Sequence, residues 1–252
     1  MTPTSPFLDR TTKRRTAQTA GQPAAAVATT GQRLEALSGL AFAGLLVVGF
    51  FLSGSDAPDY AAAEEDWTSW ATDNAWNSRL GAFLTMLAGS VFLHFAGTVR
   101  SALEKAEAAT GAQARLAPVA SAGALAGITG ITTAVVMMAG ATSAGSAADP
   151  LVTRAVATAT VGPFLVAAMG FAALLSAAGL VTLRRGVFGR WVGVVALLGG
   201  LAFLITLVTL LAGPDRDSVY GYGYFVGILA LAVWSAASSF AGYRRTRIAA
   251  QG

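Results

Sequence analysis

The chain has 252 residues, 54% of them hydrophobic and only 12% charged, whereas an ordinary soluble domain is about 25% charged. That composition excludes a large soluble core and reads as an all-α, polytopic integral membrane protein. With no cysteine, disulfides, thiolate catalysis and cysteine-based metal sites are excluded.

Residues 1–33 are polar and rich in Thr, Ala and Gln, and are expected to form a disordered cytoplasmic tail. The "KRRT" string carries an arginine pair, but the apolar segment that a twin-arginine signal needs does not follow closely. The first span, 36–54, is nearly full length, which argues against reading "SGS" before Asp56 as a cleavage site.

Next comes "SDAPDYAAAEEDWTSWATDN", which predicts an amphipathic outer helix over about 56–74. Asp56 is placed to cap it, Pro58 suits the first turn, and Asp59 complements the positive end of the dipole. At about 100° per residue, Tyr60, Trp67, Trp70 and Asn74 share one side and Trp76 points away from Trp67. Such a narrow apolar stripe suits a helix lying at the membrane boundary, where indole rings sit in the apolar zone with their N–H groups in water. Two readings follow: an aromatic belt or lid on the outer ends of the bundle, or a solute-binding lid with Glu64 and its neighbours facing a cation. Catalysis by Glu64, Glu65 or Asp66 is disfavoured, because the run looks solvated and paired acids work when burial separates their pKa values.

The second span, 79–99, holds His94, the only histidine. An ionisable group within a span is a functional candidate. No span contributes an acidic partner, so a neutral ring hydrogen-bonded to a hydroxyl or carbonyl of a neighbouring helix is favoured over a proton relay. A metal site would need further ligands nearby, and none is evident. Span 117–141 carries Gly123 and Gly127, four apart, a spacing that lets helices approach closely.

Asp149 and Pro150 look like a helix start, and Pro163 lies early in the fourth span, 161–183. An amphipathic outer turn followed by a bend at Pro163 is expected, and broken helices can line substrate cavities. Spans 190–212 and 220–242 complete six, with Gly189/Gly193 and Gly223/Gly227 as further packing pairs and 244–252 as a cytoplasmic tail. "SVYGYGY" is only superficially like a potassium filter, because it opens the last helix directly rather than a re-entrant loop.

With the N-terminus inside, fourteen of the 17 basic residues lie on the cytoplasmic side and nine of the 13 acidic ones outside. That is the usual orientation signal of a cytoplasmic-membrane protein. It also explains the sequence pI near 9.8 by an anionic lipid surface rather than nucleic acid. The six-helix domain spans 34–243, its obvious partner being the bilayer, with a membrane-protein partner or a second copy as further options. No phosphate loop, zinc-protease helix or serine elbow appears, no cofactor is implied, and non-enzymatic readings lead.

The strings "GFFLSGSDAPDYAAAEEDWTSWATDN", "RLGAFLTMLAG" and "GVFGRWVGVVALLGG" together resemble a group of uncharacterised actinobacterial multi-pass proteins classed as a domain of unknown function. The resemblance covers about residues 34–243. It implies six membrane helices and a first outer loop containing Trp and acids, and it transfers no activity. The leading expectation is therefore an accessory or regulatory membrane protein, or one that handles a small or lipophilic molecule. The alternative is a small-solute transporter or channel with a cavity under the Trp67/Trp70 helix, near Pro163.

Overall fold

A chain this apolar satisfies its backbone polar groups within its own helices. The computed structural model describes residues 24–54, 56–59, 62–109, 115–143, 149–208, 211 and 219–249, with no β-strand among them. The helices are α1 (Ala24–Leu52), α2 (Glu64–Ala108), α3 (Leu116–Ser143), α4 (Pro150–Ala159), α5 (Val161–Arg185), α6 (Arg190–Thr206) and α7 (Val219–Ala249). Four stretches are long and apolar enough to cross a membrane: Glu64–Ala108, Leu116–Ser143, Pro150–Arg185 and Tyr222–Arg244. Leu37–Leu52 and Arg190–Thr206 are shorter apolar helices.

The long helices form a ring. α1 packs on α2, α2 on α3, α3 on α5, α5 on α6 and α6 on α7, and α7 returns to α1. Helix α4 lies at one end against α2, α3 and α5. Aromatic rings fill the middle: Phe42 meets Phe92 at 4.4 Å between centroids, Phe92 meets Phe171 at 6.1 Å, and Phe171 meets Phe203 at 5.5 Å. Tyr224 closes the column against Phe203 and Phe164. The outside is apolar too, with Phe83 62%, Met169 54% and Leu198 61% exposed. Water does not tolerate an apolar exterior on this scale, whereas lipid does.

Local chemistry explains several boundaries. Asp149 caps α4 by accepting the N–H groups of Leu151 (2.9 Å) and Val152 (3.3 Å), with Pro150 in the first turn. Pro163 has no N–H to give and would crowd the carbonyl four residues back. The break between α4 and α5 accordingly falls at Thr160, where the Thr160 N–H reaches Ala157 O at 3.1 Å. The break thus lies three residues before Pro163. Helix α5 ends at Gly186, whose φ of 67° suits a residue without Cβ.

The outer helix expected over 56–74 is corrected. Residues 56–59 are turn and extended chain, and the helix begins at Glu64 and runs 45 residues without a break into the predicted second span. At 1.5 Å per residue that is about 67 Å, roughly twice the thickness of a bilayer core. No Gly or Pro interrupts residues 74–79. Two of their polar side chains fold back on their own helix instead: Asn74 Nδ2 donates to Trp70 O at 3.2 Å and Arg79 Nε to Ala75 O at 2.9 Å. Helix also extends into both segments expected as tails. Helix α1 reaches back to Ala24 through an Ala-rich start that favours helix, and α7 continues to Ala249. Residues 1–23 and 250–252, like Tyr60, lie outside the described residues.

The glycine pairs divide. A Cβ on Gly123 would lie 2.5 Å from Gly170 O, and one on Gly127 would strike the Phe171 ring at 2.5 Å. Both glycines are therefore required for the close approach of α3 and α5. Gly223 and Gly227 similarly seat α7 against Ala202 and Phe203 of α6, and Gly193 faces Leu183 and Thr182 of α5. Gly189 is the exception to the expected pairing. It precedes α6 with φ of 99° and has nothing within 4 Å of its Cβ direction, so it serves the turn and not a helix contact.

Candidate functional site

Two places concentrate polar chemistry, one toward each end of the ring. Trp67 and Trp70 mark the tryptophan end; Arg100, Arg184, Arg185 and Arg244 mark the arginine end.

At the tryptophan end, helical spacing turns Trp67, Trp70 and Ala71 of α2 inward, and all three are buried. The two indoles meet edge to face at 5.9 Å. They pack with Ala57, Met138 near the end of α3 and Ala157 of α4. Trp67 Nε1 donates to the Asp59 carbonyl at 3.2 Å, and Trp70 Nε1 donates to Asp56 Oδ1 at 3.2 Å. Asp56, expected to cap a helix, is thus the acceptor that fastens the loop after α1 over the indoles. Glu65 and Asp66 are exposed, Glu64 is half-buried, and Trp76 on the opposite face is 70% exposed. Under the indoles lie Met138 and Ala157, both apolar, so the carboxylates of this segment and the buried surface do not converge on one point.

Pro163 stands apart from this cap. Its carbonyl faces Gly130 of α3, at 2.7 Å from a Cβ built there. Gly130 is two turns along α3 from Met138, about 12 Å at the helical rise. His94 is farther still. The buried stripe of α2 runs through Thr85, Ala88, Phe92, Phe95 and Val99, and His94 lies off it, exposed on the outside of the ring. The expected hydrogen bond from its ring to a neighbouring helix is corrected accordingly. Its backbone carbonyl accepts from Thr98 Oγ1 at 3.3 Å, and its ring is seen in no hydrogen bond among the described residues. Of the five residues singled out from the sequence for a cavity or lid, only Trp67 and Trp70 come together, with Glu64 at their margin.

The second polar place was not anticipated. In the half of the ring toward the arginine end, α7 buries Trp234, Ser235, Ser238 and Ser239. The indole Nε1 of Trp234 and all three serine hydroxyls lie buried without a hydrogen-bond partner. Gly39 of α1 is the hub. A Cβ there would meet the Ser239 hydroxyl, the Ser235 carbonyl at 2.8 Å and the Phe95 ring at 2.9 Å. Phe95 in turn stacks edge-on against Trp234 at 5.6 Å. The signal in the sequence is "SAASS", three hydroxyls within five residues of an apolar span.

One carboxylate is held with unusual completeness. Glu107, at the end of α2, accepts the N–H groups of Arg115 (3.2 Å), Leu116 (3.1 Å) and Ala117 (3.0 Å) that open α3. Burial works to raise its pKa. The Leu116, Ala117 and Arg115 N–H groups and the nearby Arg185 guanidinium outweigh that and hold it below the ordinary 4.5. This is a clasp at the arginine ends of α2, α3 and α5, built from structure-forming contacts.

Among the described residues no group of three His, Cys, Asp or Glu side chains could hold a metal ion. No family model, no curated protein and no solved structure matches the chain.

Proposed function

We propose that the protein is a six-helix integral component of the cytoplasmic membrane, both termini cytoplasmic, that binds a small uncharged or lipophilic molecule in an accessory or regulatory role. One observation supports this above the others. Among the described residues, every buried residue of polar or charged type is Ser or Thr. Hydroxyls offer hydrogen bonds to an uncharged ligand but cannot compensate a buried ion, and ion-coupled transporters place charged groups within their spans. The arginine end faces the cytoplasm in this reading, as the positive-inside rule requires. The proposed resemblance to uncharacterised actinobacterial multi-pass proteins is compatible with it and adds no activity.

Reconstitution tests the proposal. Liposomes carrying the full chain should show no more proton or potassium flux under an imposed potential than empty liposomes. They should take up an uncharged long-chain alcohol saturably. Potential-driven ion flux above the empty control would replace this reading with a channel or ion-coupled transporter. Orientation is tested separately: reporter fusions within 104–115 should read cytoplasmic and those at Asp149 outside, and the reverse pattern would invert the topology.

A further inference from the structure

We infer that the junction of α1, α2 and α7 around Gly39 is the binding subsite for the hydrogen-bonding head of an uncharged amphiphile, a hydroxyl or carbonyl compound with an apolar tail. This inference rests on the proposed handling of an uncharged lipophilic molecule and gives it a location.

Four polar atoms carry it. Trp234 Nε1 and the hydroxyls of Ser235, Ser238 and Ser239 are buried and without partners. At 100° per residue the four side chains fall within an arc of about 140° on α7, so they face one region rather than scattering around the helix. An indole N–H can only donate, while a hydroxyl donates and accepts. The set therefore selects a ligand that accepts at least one hydrogen bond, and it contains no charge to balance an anion or cation. Buried groups of this kind ordinarily find a partner, in protein, water or ligand.

The surroundings supply the apolar part. Phe95 lies edge-on to Trp234 and Phe42 packs beside Phe92 one turn away. The location also supplies a route. Helices α1 and α7 are the first and last of the ring and share no connecting loop. Their seam can part toward the lipid without breaking a turn, whereas α1–α2, α2–α3, α5–α6 and α6–α7 are each joined by a loop. At the seam itself Gly39 presents backbone, not a side chain, to Ser235 and Ser239. The contact leaves no room for a methyl group at Gly39, so a ligand head enters only as the two helices part.

The test is photolabelling of the full chain in liposomes with a diazirine-bearing long-chain alcohol and with the matching hydrocarbon that lacks the hydroxyl. Labelled peptides are mapped by mass spectrometry. The alcohol should label α1 and α7 near Gly39 and Ser235–Ser239, saturably, and more strongly than the hydrocarbon. Trp234→Phe should reduce that labelling about fivefold, the scale of one lost hydrogen bond. The combined Ser235→Ala, Ser238→Ala and Ser239→Ala variant should reduce it further. The serine variant removes only oxygens, so it keeps the test decisive if Trp234→Phe fails to fold. Equal labelling by alcohol and hydrocarbon would overturn the subsite and leave those hydroxyls to water. Saturable labelling mapped elsewhere would overturn the location while the proposed function stands. Labelling that never saturates would overturn both.

Discussion

The α3–α5 seam and the α1–α7 seam hold the same ring together by opposite means. At α3–α5, Gly123, Gly127, Gly130 and Gly170 bring two backbones against each other, with a Cβ on Gly130 only 2.5 Å from Ala167 N. Nothing polar is left over in that contact. At both ends α3 is also held to α2, by Glu107 at the arginine end and by Trp67 and Trp70 packed on Met138 at the other. The α1–α7 seam also uses a glycine, Gly39, but sets it against the Ser239 hydroxyl and the Ser235 carbonyl, on a helix that buries three serine hydroxyls without partners. One seam is dry; the other is polar. Close packing of small residues stabilises either seam through dispersion, but only the first has no unmet hydrogen-bonding demand. The lesson is that a membrane helix contact is not read from small residues alone, because the atoms opposite them decide whether it is a strut or a place to open.

The comparison can be broken most forcefully at Gly170. A leucine there must enter the α3 backbone beside Gly127, and we expect destabilisation of about 3 kcal/mol or more. Size-exclusion profiles and thermal unfolding in detergent should show little folded protein. A Gly170→Leu variant that melts like the parent would mean that the α3–α5 seam is not close-packed. Trp67→Ala comes next, at roughly 3–5 kcal/mol for deleting a fully buried ring. It should also raise amide exchange at the end of α3 around Met138, and exchange unchanged there would detach the tryptophan cap from α3.

Glu107→Gln should cost less, about 1 kcal/mol, low in the capping range because water screens part of the carboxylate. Its pH signature is more specific. The folded pKa lies below the ordinary 4.5, so the carboxylate's stabilisation is complete above that value and disappears as pH falls through the folded pKa. The parent's melting temperature should fall below about pH 4.5 more steeply than that of the Gln variant. Parallel curves would remove the clasp from the comparison. The smallest effect is expected at the polar seam. Replacing Ser235 and Ser239 by Ala removes two unmet hydroxyls and adds good helix formers, so stability should change by less than about 0.5 kcal/mol or rise slightly. A loss above about 1 kcal/mol would show that those hydroxyls have partners in the bilayer and that the two seams are alike.

What the sequence determined by itself was the arrangement along the chain. Long apolar runs, local breakers such as Gly186 and Pro150, and the cap at Asp149 placed most helix boundaries within a few residues, because each depends on neighbours in sequence. The largest exception, the unbroken α2, turned on residues 74–79, where polar side chains look like a loop but Asn74 and Arg79 bond back to their own helix. What only the tertiary structure decided was which face of each helix looks inward. In water that face is written as the apolar stripe. Here both the core and the surroundings are apolar, so hydropathy does not distinguish them, and the orientation follows from shape: which small residue meets which backbone, and which ring fits the central column. For that reason His94 turned out to face outward, Gly189 proved to be a turn residue, Gly39 and Gly170 carried no visible mark, and "SAASS" marked the hydroxyls of α7 without showing which way they face. The tryptophan cap was partly legible because its aromatic spacing is strong and local. Its anchors at Asp56 and Asp59 were not, since a loop's return across an indole is settled only when the helices have assembled.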